Sequence, residues 1–320
     1  LSLSLSLSLS LSLTTPNATS PLRPAPHQTK PQQLKLKQKR LEKLDKNNNF
    51  TFFNNNLSQE DSLNEIKKYD ISTIYHMAAR AGVRQSFLDP QSYIEDNTYA
   101  TANVANFCKE IEIPEIILAS TSSIYGDSGE NLMVEDKDEK IKPPSVYAST
   151  KLSGESLSKI ILEDTNTNLI ISRFFTVYGP YGRPDMSILR FIHWIINEEK
   201  VKVFGNGEQQ RSFTYIKDVI DALRRMSGLE NSHTFNVGSN ITVSLNEVIK
   251  LIEEFSGKNA NIENLERAYK DPDVVRPNLE KINEAIGWEP TTKIQEGIEK
   301  TVSWYKENED YLKDLVYVIE

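Results

Sequence analysis

Four short apolar runs, Ile71–His76, Ile116–Ala119, Leu169–Phe175 and Thr234–Val237, are separated by longer stretches in which apolar residues recur every three or four positions. The short runs fit strands buried on both faces; the longer period fits amphipathic helices. Helices are expected at Leu34–Leu44, at Asn97–Ile111, where Ala100, Val104, Phe107, Cys108 and Ile111 share one face, and from about Val146 to Leu162. Pro114 separates the second of these from the strand at Ile116. Phe50–Phe53 reads as a further strand, followed by a capping-box-like helix start at Ser58-Gln59-Glu60-Asp61. Strands alternating with such helices imply βαβ units and a parallel sheet covered on both sides.

Beyond Arg183 the alternation loosens. Helices are expected at Ile188–Glu198, Ile216–Met226, Leu245–Phe255 and Ile294–Glu309, with a strand at Val201–Phe204 and a hairpin-type turn at Gly205-Asn206-Gly207. Residues 35–182 are therefore expected to form a sheet domain, with return segments about 211–240, and residues 183–320 to form mainly a smaller lobe, with Trp288 in Gly287-Trp288-Glu289-Pro290 expected to pack that lobe. Residues 1–34 stand apart: the first 13 alternate Leu and Ser without a break, and the next twenty are rich in Pro, Thr, Asn and Ser. This composition is low complexity and is expected to be a disordered tail. It lacks the basic start and continuous apolar core of a signal peptide. The chain begins with Leu1 in place of Met, as expected of a fragment or of a product whose beginning has been replaced.

The chemistry concentrates in Tyr147-Ala148-Ser149-Thr150-Lys151 and in Ser120-Thr121-Ser122-Ser123-Ile124-Tyr125-Gly126. In a helix, Tyr147 and Lys151 stand one turn apart on one face, where the ammonium favours the phenolate and makes Tyr147 a candidate general base. Thr121, Ser122 and Ser123 follow an apolar strand and would sit at its carboxyl end, where open α/β sheets bind ligands. The formal net charge of -8 argues against nucleic acid as a partner, so an anionic ligand would be held by a few placed arginines. A single cysteine, Cys108, excludes an internal disulfide framework and fits a reducing, cytoplasmic setting. His27, His76, His193 and His233 lack ligand spacing, so no metal is expected. No apolar run reaches the length of a membrane span.

Taken with His76-Met77-Ala78-Ala79, Thr101-x-Asn103-Val104, Arg173 to Pro180, Arg211 to Val219 and Phe235-Asn236-Val237-Gly238, these stretches resemble the extended short-chain dehydrogenase/reductases, the family of nucleotide-sugar epimerases and dehydratases. The resemblance runs from about residue 35 to 305. It implies a Rossmann-like doubly wound parallel sheet with a smaller C-terminal substrate lobe, NAD as cofactor, a nucleotide-sugar substrate and a homodimer. It assigns catalysis to Tyr147, Lys151 and Thr121, cofactor contacts to Asn56, Leu57, Ala78, Ala79, Asn97, Tyr147 and Lys151, and substrate contacts to Ser122, Ser123, Thr176, Arg183, Arg211 and Arg276.

Gly182-Arg183-Pro184-Asp185-Met186 after Tyr178-Gly179-Pro180 is similar to the UDP-glucuronate 4-epimerase group, which implies that Thr176 and Arg183 meet a sugar carboxylate. The plainer alternative is a surface arginine after a Gly-Pro turn; for Arg211 it is a salt-bridged arginine flanking a strand. The 4,6-dehydratases of the family carry Asp-Glu where Ser122-Ser123 stand, so reversible oxidation at one carbon is expected without elimination. The resemblance also leaves open a decarboxylase acting on UDP-glucuronate, and a non-catalytic member that at most binds a nucleotide sugar. One departure bears on the last: family members open with a strand, a glycine-rich turn and a helix that hold the NAD pyrophosphate, whereas residues 1–34 contain no glycine. The first βα unit is therefore expected to be lost.

Overall fold

The computed structural model describes residues 2–3, 31–127, 129, 131–135, 141–266, 273–313 and 315. Its larger half runs through β1 (Ser2–Leu3), α1 (Pro31–Leu44), β2 (Thr73–His76), α2 (Val83–Leu88) and α3 (Pro90–Tyr93), then a π turn at Ile94–Tyr99. α4 (Ala100–Glu110), β3 (Glu115–Thr121), a 3-10 turn at Ser122–Tyr125, α5 (Val146–Leu162) and β4 (Asn168–Phe174) follow. The remainder comprises β5 (Thr176–Tyr178), α6 (Ser187–Ile196), β6 (Lys200–Phe204), β7 (Gln210–Arg211), β8 (Phe213–Tyr215), α7 (Ile216–Met226) and β9 (His233–Val237). β10 (Val243–Ser244), α8 (Leu245–Ser256), β11 (Asn261–Leu265), β12 (Val274–Val275), α9 (Glu280–Ile286), α10 (Ile294–Glu307) and α11 (Glu309–Leu312) complete it.

Strands β1, β2, β3, β4 and β9 form one parallel sheet in that order. All seven residues of β3 are buried, because the sheet is covered on both faces. Ile116 and Leu118 point into a core shared with α4 and the 3-10 turn at Glu60–Ile66, while Ile117 points into one shared with α7, β9 and α9. At the amino end of the strands the buried Glu115 carboxylate accepts from Thr73 Oγ1 (3.0 Å), Ser227 Oγ (2.8 Å) and the Gly228 N–H (2.7 Å). A separate core unites α6, α8 and α10 with β6 and β8. Among the described residues no helix is long and apolar enough to cross a membrane.

Several expectations are corrected. Phe50–Phe53 forms no regular element and pairs with no described strand, and Glu60–Ile66 is a 3-10 helix with no side-chain cap. A strand needs a ladder partner, and the apolar pattern cannot supply one. Gly205 and Gly207 do turn with positive φ, but the strands they join lie in different sheets, β6 beside β11 and β7 between β10 and β12. Trp288 packs on the large sheet with Ile117, Ile170 and Phe235, and its indole N–H donates to the Asp218 carbonyl. The limit drawn at residue 34 falls inside α1, and Ser2–Leu3 pairs with Thr73 and Ile74; the rest of the expected tail, residues 4–30, lies outside the described residues.

One contact inside the smaller core admits no extra atom. A Cβ on Gly297 of α10 would stand 1.9 Å from the Tyr178 hydroxyl. Gly297→Ala is expected to cost about 1–3 kcal/mol through overpacking, against the usual gain from alanine in a helix, read as a lower urea midpoint with unchanged slope.

Candidate active site

Helix α5 is set by its first turn. Ser145 caps α5 by accepting from the Ala148 N–H (3.1 Å), and Ala148, Lys151, Glu155, Ser158 and Leu162 then form its buried stripe. Gly154 lets α5 lie against α4, since a Cβ there would already stand 3.3 Å from Thr101. Beside it β3 ends at Thr121, whose hydroxyl accepts from the Ser123 N–H (3.2 Å) and so turns the chain into the Ser122–Tyr125 helix. The result brings Tyr147, Lys151, Thr121, Ser122 and Ser123 to the wall of one cleft of about 720 Å³ at the carboxyl end of the sheet.

Tyr147 is hydrogen-bonded to Thr121, and its ring packs edge-on against Tyr93, centroids 6.4 Å apart. Burial holds the phenol above its ordinary value; the Thr121 bond and then the Arg183 charge act the other way. Lys151 is 5% exposed, and its ammonium forms no hydrogen bond or ion pair among the described residues. Burial pulls it down to about 8, offset in part by the Glu155 carboxylate. His76, behind it on β2, is pushed to about 3 by burial and then by Lys151, and stays neutral; its Nε2 bonds Thr101 Oγ1 (3.0 Å).

The opposite wall comes from the loop after β5. Gly179 at φ +140° lies against Ile216, where a Cβ would come within 2.6 Å, and Tyr181 takes φ +60°. This tight path turns Arg183 into the cleft with Thr176. Arg183 forms a two-point pair with Asp185, with the Nε to Oδ1 bond 3.0 Å long. From the far side, Arg40 of α1 donates to the Tyr181 and Gly182 carbonyls, and Lys43 donates to the Tyr181 hydroxyl (2.9 Å). α1 thus clasps the loop that carries Arg183.

Arg211 also lines the cleft, and Ala79 does so near Tyr147. Five expected site residues are not part of its wall: Arg276 is exposed, Asn56 is exposed and accepts from Ser58, Leu57 packs against the core beneath the sheet, and Ala78 and Asn97 lie behind the lining. The Asn97 amide instead grips the Arg80 backbone (2.6 and 3.0 Å) and Thr150 Oγ1 (3.0 Å), which ties the π turn to α5 between Tyr147 and Lys151.

Three lining or supporting residues escaped the sequence reading. Tyr93 steadies the Tyr147 ring and donates to the Ala81 carbonyl (3.1 Å). Arg84 lies over Phe204 at 4.1 Å, and Arg190 has a buried Nε with no hydrogen-bond partner. Burial pulls Arg190 down to about 10, with Asp185 opposing and Arg84 adding to the shift. A legible signal existed for Arg190, the one charged side chain besides a histidine in Ser-Ile-Leu-Arg-Phe-Ile-His-Trp-Ile-Ile.

Comparison with known proteins agrees with this geometry. The family model described as GDP-mannose 4,6 dehydratase matches residues 25–301. A UDP-glucuronate 4-epimerase of Thermodesulfobacterium geofontis is 38% identical over 283 residues, 88% of this chain and 87% of the relative. The solved UDP-glucuronic acid 4-epimerase of Bacillus cereus, in complex with UDP-glucuronic acid and NAD, is 30% identical with a TM-score of 0.79 over 86% of this chain and 87% of that one. MoeE5 in complex with UDP-glucuronic acid and NAD is 31% identical, with a TM-score of 0.72 over 79% and 83% of the two chains. The chain belongs to the GDP-mannose 4,6 dehydratase family, within the NAD-dependent epimerases and dehydratases.

Proposed function

We propose that the chain interconverts UDP-glucuronate and UDP-galacturonate through a transient 4-keto sugar, with NAD bound to the enzyme. The observation that carries this reading is the joint placement around one cleft of the hydrogen-bonded Tyr147 and Thr121, the buried ammonium of Lys151, and Arg183 with Thr176. The residues fit the nicotinamide-ribose half of the cofactor: a buried ammonium with no acceptor among the described residues lines a cleft that also offers Ser123 and Ala79. Lys151 would hold the ribose hydroxyls there. When bound, NAD supplies reversible acceptance of the C4 hydrogen with its two electrons.

The chain's own residues do the rest. Tyr147 takes the proton of the sugar 4-hydroxyl and returns it, with Thr121 fixing the phenol by hydrogen bond and the Arg183 charge favouring the anion. Arg183 and Thr176 hold the uronate carboxylate, for which Asp185 gives up its place on the guanidinium. Arg84, Arg190 and Arg211, farther along the cleft, meet the diphosphate, with Arg84 and Arg190 in the role the resemblance gave to the exposed Arg276. Ser122 and Ser123 bring hydroxyls where elimination would need a carboxyl acid/base pair. The exposed Leu88, Ile94, Tyr99 and Ile160 on α2, the π turn and α5 support a homodimer through these helices.

Purified folded chain, denatured and assayed for nicotinamide, is expected to release about one NAD per chain; no released NAD together with no binding of added NAD contradicts the reading. Tyr147→Phe is expected to lose turnover by about a hundredfold or more, with substrate affinity retained. Arg183→Leu should raise KM for UDP-glucuronate by about tenfold or more, as expected for a lost charge-assisted pair, and leave that for UDP-glucose little changed. Lys151 has a folded value below its ordinary one, so below about pH 8 its burial costs stability, and the cost fades as pH rises toward 10.5 because the unfolded chain then holds the extra proton. Lys151→Met should therefore be more stable than the parent at pH 7, by roughly 3 kcal/mol, with the gap closing above pH 8 in denaturant titrations.

A further inference from the structure

Behind Lys151 lies a buried polar network that does not form part of the cleft wall apart from Ser120. Glu155, one turn beyond Lys151 on α5, is 1% exposed, and Arg173 of β4 is 2% exposed. The Arg173 guanidinium donates to the Glu155 carboxylate through Nε (3.1 Å) and Nη2 (2.7 Å), while Ser120 of β3 donates to the same carboxylate. The remaining nitrogen of Arg173 donates to the Tyr125 hydroxyl (3.0 Å) and the Glu135 carbonyl (3.2 Å); Tyr125 in turn donates to Asn236 of β9 (2.7 Å). One ion pair thus fastens the catalytic helix to three strands of the sheet within a turn of the catalytic lysine.

A buried ion pair of this kind is a poor source of stability, because desolvating both charges offsets their attraction, and an apolar pair of similar volume would often hold the same elements more tightly. Its position gives it another use. We propose that Glu155 and Arg173 are positioning residues for the reaction: they hold α5 in register with the end of β3, and Arg173 balances the Glu155 carboxylate that stands one turn from the Lys151 ammonium.

The groups whose charge couples to Lys151 support this: His76 of β2 stays neutral, and Glu155 of α5 acts on the ammonium, while Ser120, Thr121 and Ser123 line the same cleft with hydroxyls. Glu155 is therefore the carboxylate that favours the charged form of Lys151. Arg173 neutralises that carboxylate in turn, so Glu155 does not lock the ammonium as a tight ion pair. The proposal rests on the epimerase reading for the reaction it serves, but its electrostatic content belongs to the chain alone.

The experiment is a pH titration of Lys151 by NMR in protein carrying isotope-labelled lysine, with the Lys151 signal assigned by its loss in Lys151→Met, alongside pH profiles of kcat. Glu155→Gln should lower the Lys151 midpoint by about one unit and Arg173→Met should raise it, since each leaves the other charge uncompensated. Arg173→Lys, which keeps the charge and loses the two-point geometry, should leave the midpoint in place while lowering kcat about tenfold with little change in KM. If Glu155→Gln does not fold, the contrast between Arg173→Met and Arg173→Lys carries the test. Folded Glu155→Gln and Arg173→Met variants whose Lys151 midpoint stays with the parent, whatever their melting temperature, would overturn the proposal and leave the pair as scaffold. A parent chain without turnover would sink the epimerase reading, and the titration would still decide the charge balance around Lys151.

Discussion

A positive charge buried without a carboxylate against it is the constraint around which this protein is arranged. Lys151 sits 5% exposed at the edge of a parallel sheet, its ammonium without hydrogen-bond or ion-pair partner among the described residues, next to a histidine that burial keeps neutral. Folding gains nothing from such a group. What surrounds it explains how the cost is tolerated. The Ser145 cap fixes the start of α5, Gly154 lets the helix approach α4, and the Glu155–Arg173 pair ties it to the strands. Strain of this kind at one site, with ordinary packing elsewhere, is the pattern expected where chemistry is done.

The second wall of the cleft obeys a different logic. It is a loop, and its shape depends on backbone: the close approach of Gly179 to Ile216, the left-handed Tyr181, and two carbonyls held by Arg40 of α1. Arg183 is therefore placed by groups from both halves of the chain. The cleft between the halves then combines a rigid edge that carries Tyr147 and Thr121 with a clasped loop that carries Arg183. The cations along it, Arg84, Arg190 and Arg211, come from three separate elements. An acidic chain can hold an anionic ligand only by such local concentration of positive charge.

Much of this was legible in the sequence because it follows from periodicity. Apolar runs marked β2, β3, β4 and β9, since strands covered on both faces lack the alternation of a half-exposed strand, and helical spacing put Tyr147 and Lys151 on one face of α5. What periodicity cannot express was missed. Phe50–Phe53 has strand composition but no described partner strand, and Trp288 packs across the chain on the large sheet. The π turn and the Asn97 clamp depend on a one-residue change in helical winding. Arg84 and Arg190 meet only in space, and Glu155 with Arg173 is a pair 18 residues apart whose charges look like ordinary surface positions until burial is known. The resemblance supplied the direction of the chemistry, but it also assigned Arg276 and Asn56 to a site that neither side chain reaches in this structure.

The central claim is that hydrogen leaves and returns to the same sugar carbon inside this cleft. The most direct test is to incubate the purified chain, without added nicotinamide, with UDP-glucuronate deuterated at C4 and to follow the sugar by NMR and mass spectrometry. The account predicts UDP-galacturonate of unchanged mass with the deuterium still on C4. Loss of the label to solvent, loss of carbon dioxide, or recovery of the substrate alone from folded chain would contradict it.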